Sequence, residues 1–198
     1  VGAVAGNNIV SNNRVYNTWG TGVYCLANPD TIISDNRCDT NATNQVDASL
    51  DIAGISCVGP SDRCAISGNI VTNQTKMGIA IQGSGTRVVD NIIKTCTQCG
   101  ILLDSGGTGK ATISGNHVTG TAVGITTGDY FRDVTGNAVN DCTIIGNTVS
   151  STTGSTPGFG FRTMNHSTIS NNVATSCRGD GYFIDTCDKV SILGNTAK

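Results

Sequence analysis

A chain of 198 residues with 26 glycines, 5% aromatic and 13% charged residues cannot cover an apolar core with charged helices. Its net charge of −2, with Lys and Arg scattered singly, gives no electrostatic footprint for nucleic acid or an anionic membrane. No apolar stretch approaches the ~18 to 20 residues of a spanning helix, and all fourteen acidic groups are Asp.

Internal repetition sets the order of the elements. One motif reads Ile or Val, two small or polar residues, then Asn. The other is Gly followed by alternating apolar residues. They take turns along the chain: Val10–Asn13, Gly22–Cys25, Ile33–Asn36, Gly54–Cys57, Ile66–Asn69, Gly78–Ile81, Val88–Asn91, Gly100–Leu103, Ile113–Asn116, Gly124–Thr127, Ile144–Asn147, Gly158–Phe161, Ile169–Asn172, Gly181–Ile184 and Ile192–Asn195. From Asn to the next Gly is nine residues in four coils, eight at 116 to 124 and eleven at 147 to 158. Two motifs locked in phase predict one all-β architecture, a right-handed single-stranded parallel β-helix of about eight coils of ~23 residues.

Each coil is predicted to hold three short strands, one before the Asn, one after it and one starting at the Gly. Period-two alternation turns Ile79 and Ile81, or Ile101 and Leu103, inward. The Asn is expected at a tight bend with a left-handed backbone, its amide stacked into a ladder along the axis. The pattern is already running at Val1 and still running at Lys198. Residues 1–198 are therefore expected to be one segment of a longer solenoid.

Nine cysteines cannot all pair within one chain. Their positions follow the repeat: Cys25 and Cys57 third after Gly, Cys64 and Cys142 five before Asn, Cys96 and Cys177 five after Asn. That register predicts stacked interior thiols. Cys96 and Cys99 have CxxC spacing but lack a second ligand pair, and His117 and His166 occupy non-equivalent repeat positions. No metal site is expected. Arg178-Gly-Asp180 and the sequons at Asn41, Asn73 and Asn165 are expected by chance in this composition.

Residues 40–52 and 128–141 lengthen two coils, and insertions in a solenoid emerge as loops on its flank. Near the second insertion the Gly-strand column carries Asp104, Asp129, Arg162 and Asp185 over four successive coils. Coils stack ~4.8 Å apart. Carboxylates one or two coils apart would suit a retaining or an inverting glycosidase. Asp with Arg could alternatively hold a cation and abstract a proton from an acidic sugar. Tyr130, Phe131, Arg132, Asp133 and Phe183 are the candidate substrate-binding residues. Asp47, Asp51 and Asp180 are weaker candidates. Against all of this stands the plain reading that Asp is a common turn residue, so some alignment arises by accident.

The Ile-x-Gly-Asn-x-Val and Gly-Ile-x-Leu motifs resemble the pectate-lyase-like superfamily of right-handed β-helices over nearly the whole chain. The polygalacturonase Asn-Thr-Asp and Gly-His-Gly, the epimerase Asp-Pro-His-Glu and the pectate-lyase Arg-x-Pro-x-x-Arg are absent. The resemblance implies a member similar to phage tailspike depolymerases, binding and cleaving a capsular, O-antigen or other acidic polysaccharide. It further implies a homotrimer at a virion tail or extracellular surface, with no cofactor, or calcium if the chemistry is a lyase's. The competing expectation is a non-catalytic structural or adhesive solenoid.

Overall fold

The computed structural model describes residues 2–3, 6–40, 52–104, 108–128, 130 and 138–198. The chain winds as a right-handed parallel β-helix with three parallel sheets of eight strands each. The Gly sheet contains Val23–Leu26, Ala53–Val58, Met77–Ile81, Cys99–Leu103, Val123–Thr127, Phe159–Arg162 and Tyr182–Asp185, after a short first strand Gly2–Ala3. The second sheet runs from Ile9–Ser11 to Ser191–Leu193 and leads into the Asn. The third runs from Arg14–Tyr16 to Thr196–Ala197 and leads out of it. A two-stranded strip, Val139–Asn140 on Met164–Asn165, reinforces one corner. Among the described residues no helix is long and apolar enough to cross a membrane.

Strict register explains the interior. In the second sheet Val10, Ile33, Ile66, Val88, Ile113, Ile144, Ile169 and Ile192 stack directly on one another, and all but the last are buried. Each such side chain removes apolar surface worth ~1.5–3 kcal/mol. Inward residues of the Gly sheet, such as Ile79, Ile101 and Ile125, meet this column in one continuous core. The core is built from β-branched and thiol side chains, which suit a narrow pleated tube.

The Asn ladder closes across eight coils, from Asn13 through Asn36, Asn69, Asn91, Asn116, Asn147 and Asn172 to Asn195. Each Asn donates its backbone N–H and its Nδ2 to the next Oδ1 at 2.9–3.0 Å. Nδ2 also donates to a carbonyl one coil back, as Asn91 does to Ile66. The left-handed backbone, however, does not belong to the ladder Asn. It belongs to the residue before it: Asn12, Asp35, Gly68, Asp90, Gly115, Gly146, Asn171 and Gly194 all have positive φ. The ladder Asn must keep a fixed inward orientation, so the chain reverses one position earlier.

The repeat glycines have a different purpose. A Cβ on Gly54, Gly78, Gly100 or Gly124 would lie 2.3–2.5 Å from Val71, Ile93, Val118 or Val149 of the third sheet. These glycines let two sheets approach, and none of the four needs a positive φ.

Candidate functional site

The strands Phe159–Arg162 and Tyr182–Asp185 pair in register, Gly160 beside Phe183 and Arg162 beside Asp185. Alternation turns Phe159 and Phe161 fully inward, where Phe159 stacks on Tyr182 with centroids 4.9 Å apart. Gly160, Arg162, Phe183 and Asp185 therefore share the outer face. Tyr130 returns over this face. A Cβ on Gly160 would sit 2.9 Å from the Tyr130 ring, so the missing side chain is what lets the ring rest on the strand. Tyr130 and Phe183 meet at 5.1 Å and 54°, a tilted pair of the kind aromatic quadrupoles favour.

Beside the rings, Arg162 Nε donates to Asp185 Oδ2 at 3.1 Å. Thr186 donates to the other carboxylate oxygen at 3.0 Å. The Thr127 hydroxyl accepts from the Arg162 N–H and donates to the Arg162 carbonyl, both at 3.0 Å, which fixes the root of the arginine. Burial pushes the Tyr130 phenol above its ordinary pKa; Arg162 opposes that shift and Asp180 adds to it.

Asp104 follows the strand Cys99–Leu103 and is only 3% exposed. Register carries the stripe from Asp104 through Gly128 and Arg162 to Asp185. Asp104 and Asp185 are thus three coil spacings apart, about 14 Å. Arg162 and Asp185 are brought together, and Asp104 stands away from them. Asp129, Phe131, Arg132 and Asp133 lie outside the described residues, as do Asp47 and Asp51. Asp180 is exposed at a turn. Three features escaped the sequence reading: the cradle at Gly160, the Thr127 anchor and the burial of the outer column. Ser56, Ala80, Leu102 and Thr126 point outward yet are 0% exposed. Ala53, Met77, Ala80, Cys99, Leu102 and Val123 form a second apolar cluster there, with Tyr130 packed against it. The run of apolar residues at both odd and even positions in Met77–Ile81 and Cys99–Leu103 was its signal.

All nine cysteines are thiols. Cys96 joins the interior core and Cys99 the outer cluster, so the CxxC pair points to opposite faces of the wall. Cys25 and Cys57 face each other in register. Hydrogen bonds from Cys25 and Cys64 push the Cys57 thiol well above its ordinary value, and the hydrogen bond to Cys57 lowers each of the other two. Burial pushes Cys38 and Cys96 to about 12 and, with a smaller push from the Asp141 charge, Cys142 to about 11. His117 is exposed on the third sheet and His166 is exposed at a corner, 3.5 Å from Lys189. Among the described residues, which include every His, Cys and Met of the chain, no three His, Cys or Asp could hold a metal ion.

Among curated proteins no sequence matches this chain. Among solved structures, a periplasmic alginate epimerase, AlgG, superposes with TM-score 0.63 at 14% identity, covering 96% of this chain and 43% of its own. PfbA, a surface adhesin of Streptococcus pneumoniae, superposes with TM-score 0.59 at 10% identity, covering 97% of this chain and 59% of its own. This chain spans about half the length of the structures it matches, and at these identities the likeness is one of fold. Residues 5–152 match the family model described as periplasmic copper-binding protein (NosD), and the chain belongs to that family.

Proposed function

We propose that this chain is a polysaccharide-binding β-helix domain of the periplasm or cell exterior, holding its glycan at Tyr130, Phe183, Arg162 and Asp185. One observation carries the reading: an aromatic pair seated over Gly160 next to a side-chain ion pair. Sugar rings present C–H faces that stack on aromatic rings and hydroxyls that bond to paired charged groups. A periplasmic epimerase of alginate and a surface adhesin on the same fold support both the ligand class and the setting.

Cleavage is the finer form of the proposal. Asp104, Asp129 and Asp185 would supply the carboxylates, and Arg162 would stabilise charge on the reacting sugar. A tailspike-type depolymerase would be the whole protein in that case. Incubation with a polysaccharide panel, with and without calcium, followed by mass spectrometry separates the levels. Defined fragments lost in both Asp104→Asn and Asp185→Asn would establish cleavage at this stripe. Retention of a glycan without release would leave a binding domain. No retention would overturn the proposal in favour of a structural solenoid.

Copper, named in the family description, does not fit this chain's donors. Copper sites take imidazole, thiolate or thioether ligands converging on one point. Here the two histidines stand apart, and the thiols of Cys25, Cys57 and Cys64 lie in the apolar core, where no Lys or Arg among the described residues is buried to offset an anionic metal–thiolate group. Titration with Cu(II) under calorimetry is expected to show no saturable stoichiometric site. A saturable one-to-one isotherm would overturn this.

A further inference from the structure

We propose that Cys25 and Cys57 join in a disulfide that staples two successive coils, with Cys64 the thiol left beside it. The bond needs an oxidising compartment, so it rests on the periplasmic or exterior setting proposed above and is independent of the glycan. Cys25 and Cys57 lie directly opposite each other on the strands Val23–Leu26 and Ala53–Val58. Among the described strands no other two cysteines are so paired: Cys38 stacks between Val15 and Val71, and Cys99 on Val123. Both side chains point into the core and are 0% exposed. Cys57 is hydrogen-bonded to Cys25 and to Cys64, so three sulfurs meet at one place in the tube. Cys64 is the poorer partner, because its Sγ also donates to the Asn28 carbonyl at 3.2 Å. Adjacent strands hold facing Cα atoms ~4.8 Å apart, inside the roughly 4.4–6.8 Å that a disulfide accepts. Facing Cβ atoms stand at about the same spacing, and the bond draws them together by roughly a few tenths of an ångström.

The step is a two-electron oxidation by thiol–disulfide exchange. One thiolate attacks an external disulfide, of the class of oxidised glutathione, and releases one external thiol from a mixed disulfide. The second thiolate attacks the chain's sulfur in that intermediate, and the second external thiol leaves. The chain's two thiols thus give up two protons and two electrons, and the external disulfide takes them. Once the coil has closed, both sulfurs are enclosed. Exchange therefore belongs to the folding chain, and the finished bond is shielded from a soluble reductant. The loop it closes runs from 25 to 57 and contains the lengthened stretch 40–52. The staple clamps the root of that insertion and restricts the unfolded chain.

The test refolds the full chain from urea in a buffer of reduced and oxidised glutathione and, in parallel, in dithiothreitol. Thiols are titrated in denaturant and linked peptides are mapped by mass spectrometry. The oxidised sample should titrate seven thiols, two fewer than the nine of the reduced chain, with Cys25 joined to Cys57. Its unfolding equilibrium constant should be about a hundredfold lower, read as a higher urea midpoint. Dithiothreitol should erase that difference when added in urea and leave it intact when added to the native chain. Cys57→Ala should keep all its remaining thiols titratable, and Cys64→Ala should still form the bond. Nine thiols after oxidative refolding, or Cys57 joined to Cys64 in place of Cys25, would overturn the inference. The buffer supplies the oxidant, so either failure counts against the geometry and leaves the setting and the glycan reading untouched.

Discussion

Asn91 shows why one residue type recurs at one position in every coil. Its Oδ1 accepts from both the N–H and the Nδ2 of Asn69 at 2.9 Å, and its Nδ2 donates to Ile66, Val89 and Asn116. Only a side chain with adjacent acceptor and donor can do this. Asp would present a second acceptor to the Ile66 carbonyl and the Asn116 Oδ1, and would bury a charge. Asn91→Ala leaves the buried Asn69 N–H without its acceptor and should cost about 2–4 kcal/mol, measured as a lower urea midpoint. Asn91→Asp should cost more, and the reverse order would overturn the ladder account. The sequence displayed the ladder without ambiguity. It also displayed, unread, the set Asn, Asp or Gly at the preceding position, which is the set that tolerates positive φ.

The buried thiols give a second expectation at this scale. Cys38, Cys96 and Cys142 ionise only near 11 to 12 in the folded chain, against about 9 when unfolded. Below pH 9 both states hold these protons, and these three thiols add no pH dependence to stability. Between 9 and the folded values the unfolded chain binds fewer protons, so stability falls as pH rises, by about 1.4 kcal/mol per pH unit for each thiol. Urea midpoints at pH 8, 9 and 10 should therefore be flat and then drop. A Cys38→Ala chain should drop less steeply.

At the scale of the strand and turn, the two repeat motifs differ in what they demand of the backbone. The Asn motif needs a reversal one residue before the Asn, and Gly115 or Asp90 supplies it equally well. The Gly motif needs space, because Gly100 lies where a Cβ would meet Val118 at 2.3 Å. Gly100→Ala should destabilise by about 1–3 kcal/mol through overpacking. Pairing it with Val118→Ala should recover part of that loss, a coupling that a purely conformational role for Gly100 would not produce. Strand order, phase and the inward columns were all legible in the spacing of these motifs. The site was legible only as a stripe. Sequence periodicity places Asp104, Arg162 and Asp185 on one outer column, and it cannot tell that Arg162 and Asp185 touch while Asp104 is buried, two coils from the one and three from the other. Nor does it show that Tyr130 closes on Phe183, since that contact depends on the absent side chain at Gly160.

For the molecule as a whole, stability is close to a sum of coil-on-coil interfaces, and the trimer implied by the resemblance would add a contact along a flank. Sedimentation equilibrium of the chain tests it. A species near 61 kDa, three times the 20.3 kDa chain, would support a tailspike-like assembly. A species of 20 kDa would fit a solenoid acting singly.

What the sequence by itself determined is the solenoid, its coil phase, the Asn ladder and the thiol-lined interior. Those features repeat, and a requirement met eight times in register leaves a periodic trace. What only the tertiary structure decided is the outer face of the Gly sheet: which residues there are covered, which charges neutralise each other, and where two rings meet over a glycine. These arise once, between Arg162 and Asp185 or between Tyr130, Gly160 and Phe183, and a contact made once leaves no period to read.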